Sequence, residues 1–426
     1  MTEEFLQFVW EQRLFDATGL VTISGEKVTV LETGVRNSDA GPDFFNARIR
    51  LGRTLWAGNI EIHRNSSDWY RHGHHDDEAY GNIILHVVQK HDRPVFRPDG
   101  EEIPTLELPY PPRLLENYRS LLEAGTWIPC QEQFGQVDRL LLKIGFNRLM
   151  VERLQEKTGE IADRLKQNNH DWNETFYQLL ARNFGFHTNA LPFDMLARSL
   201  PSSIPGKHRD NLLQVEALFF GQSGLLHEVL LGDDHFLKLR AEYDFLAAKY
   251  HLRPMAAHLW KFLRLRPVNF PTIRIAQFAA LIHHTEGLLS RILETASLAA
   301  LRPLFAVTAS GYWTTHYRFN YPSKASVKHL GDEAFENVII NTVVPFLFVY
   351  GEQTSAPALK DRALAWLEEL PAEENGVIAR WASLGAVAES AFESQALLQL
   401  KNRYCARKRC LECHVGTKLI TYLGSG

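Results

Sequence analysis

Apolar residues recur at two different periods along this chain, and the change of period divides it in two. From Glu3 to Phe15 the apolar positions Phe5, Phe8, Val9, Leu14 and Phe15 fall at helical spacing. Five runs rich in Val, Ile and Leu follow, which the pattern predicts as strands: Val28–Leu31, Phe44–Leu51, Leu55–His63, Asn82–Gln89 and Ile103–Leu108. Turn signals such as Ser24-Gly25 and Pro98-Asp99-Gly100 separate them. Ser66-Ser67-Asp68 is placed to cap a helix running through Tyr80. Helix, three strands, helix and further strands make an α/β layer on one mixed sheet.

Beyond Val137 the period becomes helical almost throughout. The predicted helices are Val137–Leu165, Trp172–Phe184, Pro192–Leu200, Arg209–Phe220, Lys238–Lys249, Ala256–Phe262, Ile273–His284 and Ala358–Leu370. Prolines 109, 111 and 112 interrupt the pattern, so the boundary is expected within Pro109–Gln136. The expectation is an α+β chain: an α/β domain over residues 1–130 and a mainly helical domain over 131–426. No fixed-period repeat is visible.

Composition narrows the class. The chain has 426 residues, a formal net charge of -4, 45% hydrophobic and 23% charged residues, as expected of a globular protein with a large core. No global basic excess points to nucleic acid, so contact with it would need local patches. The start, Met1-Thr2-Glu3-Glu4, is acidic where a signal peptide is basic. No uncharged stretch reaches bilayer length, so no membrane partner is expected and the cytoplasm is the expected compartment.

Chemistry concentrates in Gly41-Pro42-Asp43-Phe44 and Gly58-Asn59-Ile60-Glu61-Ile62-His63. Side chains alternate across a strand, so Glu61 and His63 share a face. Two carboxylates beside an imidazole suit a divalent ion and an attacking water. The element order, the Pro-Asp pair and the Glu-x-His strand together resemble the PD-(D/E)XK nuclease superfamily over the first quarter of the chain. That resemblance implies a restriction-endonuclease-like fold and catalytic residues Asp43, Glu61 and His63. Asp43 and Glu61 would hold Mg²⁺, His63 would stand where the superfamily has lysine, and nucleic acid would be the partner. An imidazole carries no fixed charge, which separates this chain from the pattern. The ordinary alternative is a Pro-Asp turn beside a solvated strand.

A histidine-rich stretch follows: His72, His74, His75, Asp76 and Asp77, then His86 on the next predicted strand. With His63 these residue types suit zinc or iron. Their spacing fits no closed template, and a solvated His-rich helix accounts for most of them. His63 and His86 are expected to share a face.

Three of the four cysteines form Cys405-x4-Cys410-x2-Cys413, followed by His414. With Cys130 they supply four thiolates for zinc or an iron–sulfur cluster. One upstream and three downstream cysteines resemble the iron–sulfur staple of RecB-type nucleases, although the triple spacing differs. Four unligated buried thiols are the plain alternative. Lys401, Arg403, Arg407, Lys408 and Arg409 form the densest basic run, a phosphate contact or a solvated face. Arg266-Pro267-x-Asn269-Phe270-Pro271-x-x-Arg274, near Tyr312-Trp313 and Tyr317-Arg318-Phe319, is either a base-stacking loop or interior packing. Neither a phosphate-binding Gly-x-x-x-x-Gly-Lys loop nor a Gly-x-Ser-x-Gly elbow occurs.

Taken together, Asn37-x-Asp39-Ala40-Gly41-Pro42-Asp43-Phe44, Gly58 to His63, Asp68-Trp69, Asn82-x-x-Leu85-His86-Val87-Val88, Arg266 to Pro271 and the Cys405–Cys413 run resemble a bacterial family known as domain of unknown function 2851. The resemblance covers nearly the whole chain. It implies one shared architecture and transfers no catalytic residues. The functional expectation is a metal-dependent nuclease or a nuclease-derived nucleic-acid-binding protein. The alternatives are a non-catalytic scaffold on a degenerate nuclease-like fold and a His-ligated small-molecule metalloenzyme.

Overall fold

The computed structural model describes residues 2–227 and 232–422. It is a mixed α/β chain with an N-terminal mixed sheet and a largely helical remainder. Its residues cluster into two compact units, 1–145 with 384–386 and 399–426, and 146–383 with 387–398.

In the first unit, helix α1 (Glu3–Glu11) buries Phe5, Leu6, Phe8, Val9 and Trp10 and packs on the sheet. The strands are β1 (Val28–Glu32), β2 (Val35–Arg36), β3 (Phe44–Leu51), β4 (Thr54–Asn65), β5 (Ile83–Lys90) and β6 (Thr105–Glu107). Their order is β1-β3-β4-β5-β6, with β2 pairing on β3. The β1, β3 and β4 strands are antiparallel, whereas β5 and β6 each add in parallel. The parallel step needs a crossover, and residues 66–82 supply it.

Two local features shape the middle of the sheet. Phe44 pairs with Ile60 but Ala47 pairs with Gly58, so β3 carries one extra residue. Asn46 absorbs that bulge in a left-handed conformation, φ 56°. Gly58 lies hard against β5: a Cβ there would stand 2.4 Å from Ile84 Cγ2 and 2.7 Å from the Asn82 carbonyl oxygen. The central residues Ile60 to His63 are buried on both faces.

The crossover differs from the single helix expected between Ser66 and Tyr80. It is a short helix α2 (Asp68–Arg71) followed by two 3-10 turns, His74–Asp76 and Glu78–Tyr80. Gly73, at φ 78°, breaks the helical path. Trp69, Tyr80, Ile83, Val95 and Ile103 form the core beneath this segment. The region expected to be a linker contains helix α3 (Pro112–Glu123), with proline in its first turn, where a missing N–H costs nothing.

The second unit is built of helices, among them Trp172–Phe184, Phe186–Ser199, Leu212–Gln222, Asp234–Tyr250, Pro271–His284 and Pro357–Glu369. The helix expected at Ala256–Phe262 is one 3-10 turn, Ala257–Leu259. Tertiary hydrogen bonds hold that segment instead: Met255 N–H to the Gln222 carbonyl at 2.8 Å, and Trp260 Nε1–H to the Ser223 carbonyl at 2.9 Å. One continuous helix, Asp332–Gln353, has the length and apolarity to cross a bilayer, and 78% of its apolar window is buried inside the protein. A π turn at Ile339–Val343 precedes Pro345, whose missing N–H would break a regular helix.

The C-terminal half of the Arg266–Arg274 loop is packed inside, while Arg266, Pro267 and Val268 are exposed. Arg274 is buried, donates to Asn269 Oδ1 at 2.6 Å and Gln277 Oε1 at 2.9 Å, and lies over the Phe186 ring. Trp313 and Phe319 are buried too, so they are not free to stack on bases.

Candidate metal centre

Strand alternation and the parallel register of β4 and β5 bring several polar side chains together on one face of the sheet. Glu61 and His86 are register partners, so their side chains point to the same face, and His63 joins them two residues on. All three are buried, His86 fully. His63 Nδ1 lies 2.8 Å from His86 Nε2, so these imidazoles do share a face.

The crossover brings two more imidazoles onto that face. His72 Nδ1 lies 3.1 Å from His63 Nε2, and His74 Nε2 lies 3.3 Å from Glu61 Oε1. Glu61 Oε1 is also 3.6 Å from His63 Nε2. One nitrogen from each of His63, His72 and His74 lies within 4.8 Å of the others. Two donors on one tetrahedral ion with bonds of about 2.0–2.1 Å stand about 3.3–3.4 Å apart. The 3.1, 3.3 and 3.6 Å separations lie around that value, so neighbouring donors are spaced as ligands of one ion would be. His74 is buried and stacked on Tyr80 with ring centroids 3.8 Å apart, whereas His72 is exposed. The cluster therefore opens to solvent on the His72 side.

Asp43 stands beside the cluster. Its Oδ1 accepts from Gln7 Nε2 at 2.8 Å and its Oδ2 from the Ile62 N–H at 3.0 Å. Its own N–H donates to Glu61 Oε2 at 3.0 Å. Asp43 thus ties the start of β3 to β4 and fixes the Glu61 carboxylate, leaving Glu61 Oε1 free to face the imidazoles. His75 pairs with Asp76 at 3.2 Å, and Asp77 accepts from the Ala79 N–H at 2.9 Å; these three take no part in the cluster.

Electrostatics follow from burial. Removal from water, then the Glu61 charge, pushes the Asp43 carboxyl up to about 7. Burial likewise raises Glu61 to about 8, partly offset by the Asp43 N–H. Burial holds His63 and His86 far below the ordinary imidazole range, and the neighbouring imidazoles add to the effect. Neutral imidazole is the form that ligates a metal, and a cation among these groups would favour ionised carboxylates.

The sequence reading picked out Glu61, His63 and Asp43 but left His72 and His74 on a solvated helix. Both motifs, Glu61-x-His63 and His72-x-His74, stand in the sequence, but their meeting does not. What hid it was the break at Gly73, which turns His74 inward.

The four cysteines all belong to the first unit. Cys130, Cys410 and Cys413 are buried and Cys405 half-buried, none of them in a disulfide. Burial pushes the Cys130 and Cys410 thiols up to about 12 and raises Cys405 as well. Cys130 is influenced by Cys410 and Cys413, Cys405 by the other three, and Cys410 by Cys413, so every pair interacts. The basic run around them is partly engaged within the protein. Lys408 Nζ donates to the Leu122 and Ala124 carbonyls, Arg409 pairs with Glu412, and Lys401 lies over the Trp127 ring.

No curated protein and no solved structure matches the chain. A family described as protein of unknown function, DUF2851, matches residues 3–376, which include the whole histidine cluster and Cys130 but not Cys405–Cys413. Since the match spans most of the chain, this protein belongs to the DUF2851 family.

Proposed function

We propose that His63, His72, His74 and Glu61 hold a first-row transition ion and that the protein is a metal-dependent hydrolase acting on phosphodiesters. The carrying observation is the convergence of three imidazole nitrogens within 4.8 Å of one another, with Glu61 Oε1 3.6 Å from His63 Nε2 and 3.3 Å from His74 Nε2. This donor set suits Zn²⁺ or iron, whereas Mg²⁺ at an Asp43–Glu61 pair would call for an oxygen shell. The ion would supply an activated water at neutral pH. The exposed His72 edge gives water and substrate their approach. Asp43 acts as a positioning residue that orients Glu61.

The phosphodiester class is supported by element order. A helix, an antiparallel three-strand meander and a parallel fourth strand place Asp43 just before one strand and Glu61-x-His63 on the next, as in PD-(D/E)XK nucleases. A second reading, a structural ion without turnover, is favoured by Glu61 Oε1 lying within 3.6 Å of two of the imidazole nitrogens, where it offers a further ligand.

Metal analysis of the purified protein tests the site, and single- and double-stranded DNA and RNA across Zn²⁺, Mn²⁺, Fe²⁺ and Mg²⁺ test the activity. One ion per chain, lost in His72→Ala, with cleavage abolished in Glu61→Gln, is the expected result. A bound ion with no cleavage of any substrate favours the structural reading. Absence of an ion at the histidines defeats both.

A further inference from the structure

The four cysteines lie in the same unit as the histidine cluster and take no part in the chemistry proposed above. Cys405 closes a π-helical segment, Leu400–Cys405. Lys408, left-handed at φ 52°, then turns the chain back toward Cys410. Cys413 is the N-cap of the helix His414–Thr421. That helix sits tightly on Cys410, for a Cβ at Gly416 would stand 2.3 Å from the Cys410 carbonyl oxygen. Only glycine permits this approach. Cys130 lies on a tight turn, with Gln131 N–H donating to the Ile128 carbonyl and Gln133 N–H to the Cys130 carbonyl, both at 3.1 Å.

Contacts made by neither thiols nor metal hold the C-terminal segment to α3 and to Trp127, just before that turn. Lys408 Nζ donates to the Leu122 and Ala124 carbonyls. Asn117 Nδ2 reaches the Leu419, Ile420 and Tyr422 carbonyls at 3.5, 3.1 and 3.2 Å. Polar contacts in both directions between α3 and the C-terminal segment thus set the frame on which the C-terminal cysteines sit. All four thiols belong to this unit, three buried and one half-buried, and each is electrostatically influenced by the others.

We infer that Cys130, Cys405, Cys410 and Cys413 ligate an iron–sulfur cluster that staples the C-terminal segment to the turn at residues 128–133. Four thiolates and no other ligand type suit such a cluster or zinc. The spacing favours the cluster: the Cys-x4-Cys-x2-Cys triplet is that of plant-type ferredoxins, although there the fourth cysteine follows the triplet and here Cys130 precedes it, whereas structural zinc sites commonly pair two short Cys-x2–4-Cys knuckles. Cluster binding replaces four S–H bonds with four S–Fe bonds and releases four protons. The half-buried Cys405 marks the side open to solvent.

Iron, zinc and acid-labile sulfide are measured in full-length protein purified without oxygen, with visible spectra before and after dithionite. The expected result is iron with matching sulfide and a visible absorption that dithionite bleaches. Cys410→Ser and Cys130→Ser should each lose it, while His72→Ala, which touches only the other centre, should keep it. One zinc per chain that departs with Cys410→Ser, without sulfide, overturns the cluster. Four thiols that react freely in the unfolded wild-type protein, with no thiolate-bound metal beforehand, overturn the centre altogether. The wild-type measurement stands whether or not the serine variants fold.

Discussion

His63 Nδ1 and His86 Nε2 face one another at 2.8 Å inside the sheet. If His63 Nε2 gives its lone pair to an ion, its proton must sit on Nδ1, and that N–H then donates to His86. His86 thereby fixes the tautomer and the ring plane of a ligand it does not replace. His86→Ala should weaken metal binding by roughly 10–100-fold, the range for such supporting partners. Competition with a chelator of known affinity measures this. Unchanged affinity would show that His63 does not bind through Nε2.

His72 should be the ligand whose loss costs least structure. It is exposed, while Glu61, His63 and His74 are buried. In metal-free protein His72→Ala should shift stability by no more than about 0.5 kcal/mol, as for ordinary surface substitutions. The stabilisation that added Zn²⁺ gives the wild type should be largely lost in the variant. Thermal melts with and without the ion test both statements.

The carboxyl pair predicts a pH dependence. Asp43 and Glu61 sit at about 7 and about 8, above their ordinary 3.8 and 4.5. Metal-free folded protein therefore holds these protons more tightly than the unfolded chain does. The resulting stability is complete below the ordinary carboxyl range and is lost as pH rises through about 8. His63 and His86, depressed from 6.5, act in the opposite sense, their contribution being lost as pH falls below that value. From pH 6.5 to about 8 the raised carboxyls dominate, and urea midpoints of metal-free protein should fall across that window. Glu216 in the second unit is also raised, to about 7, so Glu61→Gln provides the control. The variant should show a shallower slope; an unchanged slope would assign the effect elsewhere.

Gly58→Ala should be costly. The new methyl would meet Ile84 Cγ2 and the Asn82 carbonyl oxygen, and the backbone group cannot rotate away. A loss of about 1–3 kcal/mol follows, typical of overpacking. Because Gly58 lies three residues before Glu61, metal affinity should fall with it. Denaturant titration beside metal binding separates the two effects.

The sheet was legible because its pattern is local. Phe44, Ala47, Ile49 and Leu51 are buried while Asn46, Arg48 and Arg50 are exposed, so alternation marks the strand and even the bulge leaves a visible skip. Helices with one clear apolar stripe, such as Trp172–Phe184, were equally plain. What misled were residues with two meanings. Pro111 and Pro112 read as breakers but start α3, and Met255 lies near a proline yet is placed by a hydrogen bond to distant Gln222. The histidine cluster was half legible for the same reason. Alternation puts Glu61 and His63 on one face, but no sequence rule says that a crossover turned at Gly73 will fold His72 and His74 onto it.

The first unit is discontinuous, because residues 399–426 belong with 1–145 across an intervening stretch of roughly 250 residues. Biosynthesis must therefore deliver the second unit before the first can be finished. At about 5–20 residues per second, that delay is on the order of 10–50 s. Throughout it, the nascent sheet and α3 wait at the ribosome without the helix that Asn117 will hold. The polypeptide is read from one end, yet its opening unit is among the last parts to close.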